Sequence, residues 1–177
     1  LPTASIVVEH VEGAGCYGQN GADDVALDAV LLARAADGRP VRVQWSRADE
    51  LTRAPFGAAM AVEIEAELDR TGEVVGWRHA LWSNGHVARP GRNDTPTLLA
   101  ASELAEPFPR FIATNPPLST GGGADRNAVP LYDFPAWEIT NHRLLAMPLR
   151  TSSLRSLGAF ANVFAIESFM DELAAEC

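Results

Sequence analysis

Met60-Ala61-Val62-Glu63-Ile64-Glu65-Ala66-Glu67-Leu68-Asp69-Arg70-Thr71-Gly72-Glu73-Val74-Val75-Gly76-Trp77-Arg78-His79-Ala80-Leu81-Trp82 settles the fold class of this chain. Within residues 58–69, Met60, Val62, Ile64, Ala66 and Leu68 alternate with Glu63, Glu65 and Glu67. Side chains of a strand point alternately to its two faces, so this is an amphipathic strand with one wet face. Arg70-Thr71-Gly72-Glu73 reads as a turn, and residues 74–82 as a second, β-branched and aromatic strand. The two form a long antiparallel hairpin.

Working outward, residues 137–145 read as another strand. Residues 148–157 form a turn region rich in Ser and Arg, and 159–175 a helix with Val163, Ile166, Met170 and Leu173 on one face. Toward the N-terminus, residues 5–11 are short, β-branched and strand-like. A loop with four glycines in nine positions follows, Gly13-Ala14-Gly15-Cys16-Tyr17-Gly18-Gln19-Asn20-Gly21, and then a helix over residues 25–36. Residues 41–45 read as the next strand, which predicts a β-loop-α-β unit with a parallel pair. Ser46, with Glu50 four residues on, caps a short helix. Residues 84–127 hold many of the prolines, the Gly121-Gly122-Gly123 run and little periodicity, so a long irregular loop with short helical turns near 98–104 is expected. The sum is one α+β domain over residues 1–177: a mixed sheet with a long antiparallel hairpin, packed by two main helices.

Composition narrows the function. The chain has 177 residues, 47% apolar and 21% charged, enough for a sizeable core. A net charge of −9 and the absence of a basic cluster argue against nucleic acid as a partner. No apolar run is long enough for a membrane span. Two cysteines, Cys16 and Cys177, make neither a disulfide framework nor a zinc site, and the four histidines lack metal-ligand spacing. All fourteen basic residues are Arg and Ala is abundant, the codon bias of a GC-rich bacterial source. The chain opens on Leu1-Pro2 without Met and ends in a helix-like run, so an internal segment of a longer protein is expected; compartment is left open.

Two stretches could carry chemistry. Glycines of the first loop allow positive φ and close approach of backbone to a ligand, and a helix N-terminus offers free N–H groups. The stretch fits neither the dinucleotide fingerprint nor the triphosphate loop, and Asp23 and Asp24 oppose a phosphate at that terminus. On spacing alone it is equally a tight strand-to-helix turn. The second stretch, Leu149-Arg150-Thr151-Ser152-Ser153-Leu154-Arg155-Ser156-Leu157-Gly158, offers hydroxyls and two guanidiniums ahead of the last helix. Its simpler reading is helix capping by Ser156 with surface arginines.

Taken in order, these motifs resemble the molybdenum-binding large subunit of the xanthine dehydrogenase/aldehyde oxidase family, nearest the isoquinoline 1-oxidoreductase and nicotinate dehydrogenase branch. The matching stretches are the loop from Gly13 to Asp24, Gly38-Arg39-Pro40-Val41-Arg42-Val43-Gln44-Trp45-Ser46-Arg47, Asp125-Arg126-Asn127-Ala128-Val129-Pro130-Leu131-Tyr132, and the run from Met147 to Ala174. The resemblance implies a molybdenum–pterin cofactor, as molybdopterin cytosine dinucleotide, touched by Gly15, Cys16, Tyr17, Gly18 and Arg155. Cys16 stands where broader members of the family carry an aromatic residue. Leu157 and Asn20 fall at substrate-pocket positions, Leu157 replacing an aromatic and Asn20 an acid. No direct metal ligand is implied.

The implied activity is oxidation of an electron-poor carbon of an N-heterocycle or aldehyde, with water as oxygen source and electrons leaving through iron–sulfur clusters. The implied partners are a small subunit carrying [2Fe–2S] clusters, the rest of the large subunit and a small-molecule substrate. The general-base glutamate is implied to lie beyond Cys177, so no catalytic residue is expected in this chain, and the chain alone is expected to be inactive. A module that keeps the fold for anion binding or assembly, without molybdenum chemistry, is the alternative.

Overall fold

The computed structural model describes residues 2–18, 25–88, 103–109 and 111–176. Among the described residues three α-helices, α1 (Val25–Ala35), α2 (Arg47–Arg53) and α3 (Ala159–Glu176), accompany three strands, β1 (Met60–Leu68), β2 (Val74–Ser83) and β3 (Trp137–Arg143). The strands form one mixed sheet in the order β1-β2-β3, with β1 antiparallel and β3 parallel to β2. The architecture is α+β.

The hairpin has the register that its alternation requires. Val62 faces Leu81, Ile64 faces His79 and Ala66 faces Trp77 on one side of the sheet. Glu63, Glu65 and Glu67 stand on the other, where Arg78 reaches Glu65 at 2.6 Å and Glu67 at 3.8 Å. Both pairs are exposed and add little stability. The turn is organised by Asp69, whose carboxylate accepts from the Thr71 amide (2.8 Å), the Thr71 hydroxyl (2.7 Å) and the Glu73 amide (3.0 Å). Those donors favour the ionised form and hold the Asp69 carboxyl below its usual range.

The dry face is covered by α3 and by turns over residues 123–128. Leu81, Ala124 and Ala128 form the central cluster, joined by Met60, Val62 and Ile139. Trp77 stacks on Phe134 at 4.9 Å and meets Phe169 of α3 at 5.6 Å. α3 presents Asn162 and Ile166 inward. Val163, expected on that inner face, points outward: the helix is rotated so that the polar Asn162 takes the buried position.

Four local expectations are corrected. Residues 5–11 and 41–45 belong to no strand, Ser5 closing a 3-10 turn, and the parallel pair expected between them is absent among the described residues. Strand-like sequence becomes strand only with a ladder partner, and neither segment has one here. The sheet's parallel pair is β2–β3 instead. Ser46 caps α2 through a capping box with Asp49 rather than through Glu50. Ser156 is not the cap of α3: the Gly158 carbonyl accepts the amide of Asn162 at 3.0 Å and starts the helix. Of the 84–127 stretch, residues 89–102 and 110 lie outside the described residues, and with them most of the helical turns expected near 98–104. Its two described ends are built into the core, with Val87 and Thr114 bridged and Ala88, Ala113 and Ala124 buried.

Candidate functional site

The Gly-rich loop and the bend before α3, far apart in sequence, lie against each other. Tyr17 and Gly18 are left-handed, at φ 51° and 107°. Gly18 passes so close to the second segment that a Cβ there would sit 3.0 Å from both the Cβ and the carbonyl oxygen of Ser153. The Tyr17 ring folds back over Gly15, leaving 3.1 Å between Tyr17 Cε2 and a methyl placed on Gly15. The Arg155 guanidinium carbon lies 5.7 Å from the Tyr17 ring centroid, within cation–π range. Cys16, between Gly15 and Tyr17 in the chain, is half-buried.

The bend itself is anchored from behind. Thr151, Ser152 and Ser153 are buried. Phe56 and Thr151 form a parallel bridge, through Phe56 N–H to the Arg150 carbonyl (2.9 Å) and Ser152 N–H to the Phe56 carbonyl (3.0 Å). The Thr151 hydroxyl donates to the Gly85 carbonyl (3.1 Å), and Ser152 Oγ accepts the Ala88 amide (3.1 Å). These contacts spend the Ser152 hydroxyl on backbone, which leaves it a structural role rather than a nucleophilic one. Past this anchor the chain turns twice in the left-handed region, at Ser156 (φ 73°) and Leu157 (φ 54°). The Leu157 amide closes a turn on the Leu154 carbonyl at 3.0 Å. Arg155 is exposed and Leu157 half-buried at the lip of the bend.

Five of the residues singled out in the sequence, Gly15, Cys16, Tyr17, Gly18 and Arg155, are thus brought to one locality, with Leu157 two residues beyond Arg155. Asn20 lies outside the described residues. Among the described residues, the amides of Tyr17, Gly18, Arg155 and Ser156 make no intramolecular hydrogen bond. Turn backbone with unbonded N–H groups, next to a guanidinium, offers donors to anionic oxygens. A group rich in phosphate and ring heteroatoms fits these donors and the neighbouring guanidinium. Among the described residues no group of three His, Cys, Asp or Glu is placed to hold a metal ion directly.

Sequence reasoning missed the buried polar groups behind the bend. Asn162, wholly buried, donates through Nδ2 to the carbonyls of Ala124 (2.8 Å) and Arg126 (2.9 Å), and His79 Nε2 stands 3.2 Å from its Oδ1. Asn115 Oδ1 accepts the amides of His86 (3.0 Å) and Ala124 (3.1 Å). His86 Nε2 lies 3.1 Å from Ser83 Oγ. Burial pushes the pKa of both His79 and His86 below the ordinary histidine value of 6.5. An Asn on the apolar stripe of the last helix was the available signal; it reads as a defect until its partners, about forty and eighty residues away, are known.

A nicotinate dehydrogenase subunit of Pseudomonas putida is 37% identical to this chain over 172 residues, covering 97% of the chain and 13% of that protein. The beta subunit of the isoquinoline 1-oxidoreductase of Brevundimonas diminuta is 30% identical over 165 residues, covering 90% of the chain and 18% of that protein. No family model and no solved structure matches the chain. The chain therefore spans less than a fifth of the length of either relative. Along nearly its whole length it is related to one segment of these oxidoreductase subunits, the two names that the Gly-rich loop and the Arg155 bend had suggested.

Proposed function

We propose that this chain forms one wall of the cofactor site in the large subunit of a molybdenum hydroxylase. The observation that carries the reading is the close approach of Gly18 to Ser153 with Arg155 over Tyr17, which joins two distant segments into one donor-lined surface. The kinship with two oxidoreductase subunits supports it. When bound, a molybdenum–pterin group supplies the redox centre for oxidising an electron-poor carbon of an N-heterocycle or aldehyde, with water as the oxygen source.

The chain's own residues bind and orient. Backbone amides at Tyr17–Gly18 and Arg155–Ser156 donate to the cofactor's anionic oxygens, Gly15 and Cys16 line the approach, and the Arg155 guanidinium adds positive charge. Leu157 offers an apolar wall to the substrate, smaller than an aromatic ring; Asn20, outside the described residues, is the second substrate-pocket residue that the resemblance implies. The general base and the remaining cofactor contacts come from the rest of the subunit. A small partner subunit would carry the [2Fe–2S] clusters that accept the electrons, and the chain alone would be inactive.

The test uses the full-length subunit produced with its iron–sulfur partner. Molybdenum at about one per subunit, pterin in the denatured extract and turnover of quinoline-like rings are expected. Arg155→Ala should lower turnover or cofactor content about ten- to a hundredfold. A correctly folded, molybdenum-free preparation would support a non-catalytic anion-binding or assembly module instead and overturn the reading.

A further inference from the structure

Asn162 occupies a position that no part of the cofactor surface accounts for. It lies one turn into α3, fully buried, and uses every polar atom of its side chain. Both Nδ2 hydrogens go to carbonyls, of Ala124 and Arg126. Its Oδ1 must therefore accept, so the His79 ring carries its proton on Nε2. His79 sits in mid-strand on β2, 1% exposed, and its Nδ1 has no partner among the described residues. An imidazole with one bare, buried nitrogen stays neutral, since protonation there would create an unpaired buried charge.

The same two segments meet again one turn earlier. The Gly158 amide donates to the Gly123 carbonyl at 3.0 Å, and a Cβ on Gly158 would collide with the Ala124 carbonyl. Gly158 follows directly on Ser156 and Leu157, the left-handed pair of the bend. A chain held at φ 73° and 54° by non-glycine residues relaxes unless its surroundings over-determine it. Upstream, Thr151 and Ser152 supply one fixed end. The downstream end is fixed through Gly158 and Asn162, and beyond them through His79 in the sheet.

We infer that Asn162, oriented by His79, is a positioning residue that holds the bend over residues 153–158, left-handed at Ser156 and Leu157, and so sets where Arg155 and Leu157 face the site. The cofactor side of this inference rests on the function proposed above; the conformational side does not.

The experiment compares Asn162→Ala, His79→Gln and His79→Leu in the full-length subunit with its iron–sulfur partner. Gln places an N–H donor at the reach of the imidazole Nε2, whereas Leu fills the space without a donor. Amide exchange is read by mass spectrometry across residues 150–160 and across the hairpin, together with molybdenum content and turnover. Asn162→Ala and His79→Leu are expected to speed exchange of the hydrogen-bonded Leu157 and Gly158 amides within residues 153–158 by roughly tenfold or more, with the hairpin unchanged. They should also cost more than about half of the bound molybdenum, and His79→Gln should restore both readouts. Wild-type exchange in Asn162→Ala, or His79→Gln as damaging as His79→Leu, would overturn the inference. Faster exchange with unchanged metal and turnover would overturn its link to the cofactor side. If wild type itself holds no molybdenum, the cofactor reading fails while the exchange data still decide the positioning. Should Asn162→Ala not fold, the contrast between the two His79 variants decides alone.

Discussion

Gly18 illustrates how much a single position can carry. Its φ of 107° and its 3.0 Å approach to Ser153 leave no room for a side chain in conformation or in space. Gly18→Ala should destabilise the fold by about 1–3 kcal/mol and move the loop off the bend, seen as a lower melting temperature. Gly158→Ala should be worse, because its Cβ would run into the Ala124 carbonyl, a far deeper overlap with backbone than the 3.0 Å approach at Gly18. The histidines set a pH dependence. Burial lowers the folded-state pKa of His79 and His86 below 6.5, so as pH falls past that value the unfolded chain takes up protons first. Stability is complete above pH 6.5 and declines beneath it, down to the folded-state values. The melting temperature at pH 5.5 should lie below that at pH 7.5, with a shallower drop in His79→Gln. A flat profile would contradict the neutral, buried state assigned to these rings.

At the scale of the element, the hairpin depends on its pattern and its turn together. Asp69→Ala removes three accepted hydrogen bonds on an exposed turn and should lower the denaturant midpoint of unfolding modestly, without changing the slope of the transition. Leu81→Ala, at the centre of the core cluster, should cost about 2–5 kcal/mol. β1, β2 and the turn were legible because a row of glutamates opposite a row of aliphatics leaves one periodicity and one register. α1 and α2 were legible from their spacing and the cap at Ser46. Residues 5–11 and 41–45 show the opposite case: β-branched composition states a preference, while partnership decides the outcome, and no local pattern encodes a partner. The candidate site was legible only as two glycine-bearing motifs; that they lie against each other followed from resemblance rather than from spacing. Asn162 and His79 were illegible because a buried polar group is recognised by what it bonds, and its partners are distant in the chain.

The whole molecule is unevenly packed. The sheet and α3 enclose a core, but α1 buries no residue, and Val7, Val8, Val25, Val30 and Leu32 are all more than half exposed. An apolar surface on this scale normally marks a contact. The 177-residue chain on its own should therefore bind a hydrophobic dye such as ANS strongly, and substituting Val7, Val8 and Leu32 with Ser should reduce that signal several-fold while the melting temperature stays within a few degrees. Unchanged dye binding would locate the exposed apolar surface elsewhere.

The parallel pairing of β2 with β3 predicts an order of events during synthesis. Its connection runs from residue 84 to residue 136, so this pair closes a long loop where the hairpin closes a tight one. A nascent chain can therefore zip β1 to β2 early, then wait for β3, and only afterwards receive α3. The bend that carries Arg155 takes its final shape at the last of these steps, once Gly158 and Asn162 have left the ribosome and found the turns over residues 123–126. The face that presents Arg155 should be among the last parts of this segment to mature.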